Sequence, residues 1–92
     1  MKFPTLPNYI EGGPVRRGLS SGRAFVECEK AICIHHNATT GEDTAQTISK
    51  LEASDLFHAH PRAKLVRLPR GPFVLFFATP TGYTRVSLWG VS

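Results

Sequence analysis

The residues between Lys64 and Trp89 leave this chain little choice of local structure. Three runs of β-favouring residues lie there: Lys64-Leu65-Val66-Arg67-Leu68, Phe73-Val74-Leu75-Phe76-Phe77-Ala78 and Tyr83-Thr84-Arg85-Val86-Ser87-Leu88-Trp89. Pro69-Arg70-Gly71 and Pro80-Thr81-Gly82 separate them. Proline presets the backbone at the second position of a tight turn. Glycine can take the left-handed conformation that closes a type I turn with a bulge. The pattern predicts an antiparallel meander with 73–78 as its central strand. That strand is apolar throughout, so both of its faces should be covered, one by a helix and the other by the N-terminal arm.

The signals upstream are weaker. Residues 1–22 hold Pro4, Pro7, Gly12-Gly13-Pro14 and the run Gly18-Leu19-Ser20-Ser21-Gly22. This composition opposes regular structure and reads as an irregular arm. Phe25-Val26 and Ile32-Cys33-Ile34 make Arg23 to His36 read as strand. The stretch exceeds the usual strand length of about 5–6 residues. A hairpin folding back near Lys30-Ala31 is therefore expected, with Cys28 opposite Cys33; one long bent strand is the alternative. Asn37 to Gly41 is a loop. Asp43 and Gln46 have capping-box spacing. Ala45, Ile48, Leu51, Leu56 and Ala59 then recur at helical spacing, and Pro61 ends the helix at or before His60.

The expected fold is α+β: a small antiparallel sheet in the order ββαβββ, with a C-terminal three-stranded meander and one helix packed on a face. The 92 residues suit a single domain, with 1–22 as the arm and 23–92 as a compact core.

Charge is distributed unevenly. The formal net charge is +4, and all seven acidic residues precede position 56. The remainder carries Arg62, Lys64, Arg67, Arg70 and Arg85, and a second basic group, Arg16, Arg17 and Arg23, follows from the arm. Arginine outnumbers lysine, and its planar fork matches phosphate bidentately. These eight residues are the candidate binding set. A one-signed field attracts an anionic partner, most often nucleic acid. Tyr83 and Trp89 are placed to stack on unpaired bases, while Phe73, Phe76 and Phe77 are assigned to the core.

Other chemistries have less support. Cys28, Cys33, His35, His36, His58 and His60 are zinc-type ligands, but neither Cys-x4-Cys nor His-x-His has the usual knuckle spacing. Reduced thiols are the simpler reading, ahead of a zinc site or a disulfide. A ribonuclease would need His35 or His36 to work with His58 or His60 as acid and base. Yet adjacent strand histidines point to opposite faces, and a histidine ending a helix complements its dipole. The glycines match no phosphate loop. No apolar run is long enough to span a membrane, and no secretory leader is evident, so a cytoplasmic location is expected.

The sequence therefore points to a small non-enzymatic binding or inhibitor protein that engages nucleic acid or a nucleoprotein complex through a basic surface. An acidic protein patch is a further possible partner; no cofactor, metal or small-molecule substrate is expected. Phage- or plasmid-type inhibitors of host defence, anti-CRISPR proteins among them, are comparable in size and charge alone. A histidine-dependent ribonuclease toxin and a zinc-stabilised interaction module are the alternatives.

Overall fold

The computed structural model describes residues 13–15, 17–69 and 72–91. The elements run β1 (Gly13–Pro14), α1 (Leu19–Glu27), β2 (Lys30–Asn37), β3 (Asp43–Ile48), α2 (Lys50–Ala59), β4 (Lys64–Arg67), β5 (Phe73–Thr79) and β6 (Gly82–Trp89). All strand pairs are antiparallel, in the spatial order β1-β4-β5-β6-β2-β3. From β2 onward the order is ββαβββ, so the α+β class and the C-terminal meander agree with the sequence reading. The expected arm falls largely outside the described residues, and so does any cover it gives the sheet.

Three boundaries differ from expectation. The stretch 23–36 is not a hairpin: its first part belongs to α1, which starts at Leu19 within the segment assigned to the arm. Ser21, Ala24, Phe25 and Cys28 are all buried, at spacing i, i+3, i+4, i+7, whereas Val26 is 71% exposed. The Ser21 hydroxyl accepts from the Gly18 amide and donates to the Gly18 carbonyl, fixing the first turn. Cys28 lies just beyond this helix and Cys33 lies in β2, so the two thiols do not pair across a hairpin.

The second difference is the start of the central helix. Asp43 and Gln46 belong to β3, which pairs with β2 from Ala31↔Ile48 to His36↔Asp43. The helix opens six residues later than their spacing implied, where the Ser49 hydroxyl accepts from the Glu52 amide at 3.0 Å. Its buried residues are Ala53 and Phe57, while Leu51 is 70% exposed. The helix ends at Ala59, before Pro61 as expected. The third difference is the hairpin, which spans β2 and β3 with its turn at Asn37–Glu42. There the Gly41 amide donates to the Asn37 carbonyl and Gly41 adopts φ 77°, where glycine is favoured.

This topology decides which side of the sheet is covered. β3 lies at one edge and β4 near the other, so the chain between them crosses the sheet. Ten-residue α2, about 15 Å long, makes that crossing on one side only. α1 joins it there, with the Phe25 and Phe57 rings 5.5 Å apart. The main core forms between these helices and Ala31, Ile48, Leu65, Leu75, Phe77, Val86 and Leu88. Residues two apart share a sheet face, so the opposite side carries Ile32, Ile34, Val66, Val74, Phe76, Arg85 and their row neighbours. No described helix covers this side, called the open face in that sense alone, and Val66, Val74 and Phe76 on it are buried.

Arg17 ties the helix layer to the chain segments around it. Its guanidinium donates to the carbonyls of Phe57 (2.9 Å), His60 (2.6 Å) and Ala63 (3.3 Å), and lies 3.8 Å from the centre of the Phe57 ring. Carbonyls at a helix C-terminus lack partners within the helix, and a cation there also meets the negative end of its dipole. Hydrogen bonds to a charged group are worth about 1.5–3 kcal/mol. Arg17→Ala should therefore lower the stability of the fold by about 2 kcal/mol, read as a lower midpoint in urea unfolding. Arg17→Lys should recover only part of the loss, since one ammonium cannot reproduce the fork.

Candidate nucleic-acid interface

Strand register divides the basic residues between surfaces. Lys64 pairs with Phe76, and Phe76 with Arg85, so these three form one row on the open face. The row continues through Ile34 of β2 to Ala45 of β3. Arg67 is three residues from Lys64 and falls on the helix side, 5.7 Å from the centre of the Phe73 ring. Arg23 lies on α1 and pairs with Glu27 at 2.8 Å, a surface bridge worth little. Arg16 and Arg70 lie outside the described residues. The eight sequence candidates thus do not converge on one surface.

Two subsets do come together. Lys64 and Arg85 share the open face. Arg17, Arg62 and Lys64 line a hollow of about 480 Å³ at the β4 edge, otherwise walled by Val15, Phe57, Pro61, Ala63, Leu65 and Val66. Arg62 and Lys64 are exposed and make no ion pair with other described residues. Lys64 belongs to both subsets.

Aromatic rings flank this row on the same face. Tyr83 and His36 pair across β6 and β2, and their rings stack at 4.8 Å. His36 Nδ1 lies 2.6 Å from Asp43 Oδ1. Asp43 is the one acidic residue on the described strands of this face, and it sits on the edge strand. On the other side of the row, Trp89 is 44% exposed. Trp89, Arg85, Ser87, Ile32, Ile34, Leu68, Pro72 and Val74 line a second hollow of about 280 Å³. Neither hollow has an acidic lining residue. Val66, Val74 and Phe76 are buried nearby as a small separate cluster, with Leu68 packed against them. Phe76 is therefore in an apolar cluster of the open face, whereas Phe77 belongs to the main core and Phe73 packs against it.

Ring nitrogens of all four histidines have partners within the chain. His35 and His36 lie on opposite sides of the sheet. His35 has both ring nitrogens occupied, by the Thr84 and Thr81 hydroxyls at 3.0 Å each. His58 Nδ1 donates to the Ser54 carbonyl on the exposed side of α2. His60 Nδ1 donates to the Leu56 carbonyl while its ring stacks on Phe77 at 3.8 Å. His60 borders a helix-side cleft of about 530 Å³ with Cys33, Glu52 and Asp55. Burial and the nearby Glu52 carboxylate raise the Cys33 pKa, which opposes a reactive thiolate there. Burial also raises that of Cys28, whose thiol donates to the Phe25 carbonyl at 3.3 Å. No group of three or more histidine, cysteine or acidic side chains among the described residues is placed to hold a metal ion. No described helix is long and apolar enough to cross a membrane.

Sequence reasoning missed the structural role of Arg17, which depends on carbonyls 40 to 46 positions away. It also missed the separation of Arg67 from Arg85, which depends on strand register. No protein-family model, curated protein or solved structure matches this chain.

Proposed function

We propose that this protein is a small non-enzymatic binding protein that takes single-stranded nucleic acid onto the open face of its sheet. The supporting observation is the row Lys64–Phe76–Arg85, with the Tyr83–His36 stack on one side and Trp89 beside an acid-free hollow on the other. A flexible strand presents phosphates and bases together. Cations hold the backbone, and aromatic ring faces stack on bases without needing a particular sequence. A duplex hides the faces of its bases, so Tyr83 and Trp89 have less to offer it. The rigid sheet keeps cations and rings at fixed spacing, which limits the entropy lost on binding.

Fluorescence anisotropy with a labelled single-stranded oligonucleotide of about 12 residues tests this reading. Affinity should fall linearly with salt on logarithmic axes, with a slope of about −0.7 per phosphate neutralised. Tyr83→Ala and Trp89→Ala should each weaken binding by about 5- to 100-fold, the equivalent of about 1–3 kcal/mol per stacked base. An oligonucleotide that fails to bind at low salt, or one that binds both variants as well as the parent, would refute the proposal.

A further inference from the structure

We infer that the hollow at the β4 edge receives the terminal phosphate of a bound strand. This inference rests on the open face being the nucleic-acid site. Arg17, Arg62 and Lys64 line the hollow, but Arg17 is committed to the carbonyls of Phe57, His60 and Ala63. That leaves Arg62 and Lys64, exposed and without an ion pair among the described residues. Two cations exceed the single charge of an internal phosphodiester. A terminal phosphate monoester carries about −1.5 to −2 charges at pH 7 and three strong acceptor oxygens. The Arg62 fork supplies several donors and Lys64 a point charge, together suited to such a group.

The surroundings favour an end over a passing chain. The rest of the lining, Val15, Phe57, Pro61, Ala63, Leu65 and Val66, has apolar side chains that give a continuing sugar–phosphate backbone no polar partner. Lys64 also begins the row that leads through Phe76 to Arg85. A strand anchored by its end at Arg62 and Lys64 is thus directed onto the open face.

The test compares three oligonucleotides of one sequence: 5′-phosphorylated, 3′-phosphorylated and bearing hydroxyls at both ends. Anisotropy at pH 7.5 should show one phosphorylated form binding about 10-fold tighter than the hydroxyl form, and which one gives the strand direction. Arg62→Ala, on an exposed turn, should bring the phosphorylated and hydroxyl forms to within about 2-fold of one another. Tyr83→Ala should weaken all three and keep the preference. Equal affinity for all three would overturn the inference and leave the open-face reading intact. Failure of all three to bind would overturn both.

Discussion

Replacing Lys64 and Arg85 together by glutamate is expected to weaken single-stranded nucleic-acid binding by about 100-fold or more. Each substitution removes an attraction to phosphate and adds a repulsion. A combined loss of about 3 kcal/mol corresponds to that factor. The informative control is Arg23→Glu combined with Arg67→Glu, which changes net charge by the same amount. Those side chains lie on α1 and on the helix side of the sheet. If binding depends on the open face, the control should stay within about 3-fold of the parent, and its salt dependence should be retained. Equal losses in both double variants would mean that overall charge, rather than a defined surface, draws the ligand. Arg85→Gln separates lost attraction from added repulsion, and thermal melts establish that each variant is folded.

The largest expected effect on stability comes from a position with no charge. Gly82→Ala should destabilise the protein by about 3 kcal/mol, at the upper end for overpacking because the obstacle is backbone. Gly82 pairs with Asn37 across the β2–β6 ladder, and a methyl group there would overlap the His36 carbonyl oxygen. The sequence reading placed a left-handed glycine in this turn, but Gly82 does not have positive φ. It is required for close approach. Either the ladder between β2 and β6 opens at this end or the Pro80–Thr81 turn shifts. Gly22→Ala in α1 meets nothing within 4 Å and should act in the opposite direction, stabilising by about 0.5–1 kcal/mol through helix propensity. Urea unfolding of both variants tests the contrast. A Gly82→Ala protein as stable as the parent would contradict the packing described for this turn.

The sequence was legible where several local signals agreed. Prolines and glycines bracket an unbroken apolar run in the meander, and the three strands form there. In α1 the signals conflicted. Phe25-Val26 suggests strand, while the helical face consists mostly of small residues, Ser21, Ala24 and Cys28, which contribute little to a hydrophobic pattern. Around α2 there were two cap signals. The reading took Asp43 with Gln46, but Thr44, Thr47 and Ile48 are β-branched and favour the strand that forms, and the cap is Ser49 with Glu52. The proposed binding surface was legible as charge but not as geometry. Arg67 and Arg85 look equivalent as cations within β-favouring runs. Only the pairings Arg67↔Phe73 and Phe76↔Arg85 put them on opposite sides. Likewise, sequence could not reveal that Arg17 would close the end of a helix far along the chain.

β6 comes last among the strands yet lies between β5 and β2. The β2–β3 hairpin and the β4–β5 hairpin share no ladder until residues 82–89 dock between them. During synthesis, a nascent chain must therefore keep two incomplete half-sheets in solution until this segment leaves the ribosome. Pairing so distant in sequence also slows folding relative to a chain of local contacts. Until β6 arrives, β2 and β5 present open edges, and chaperone protection would matter most during that interval.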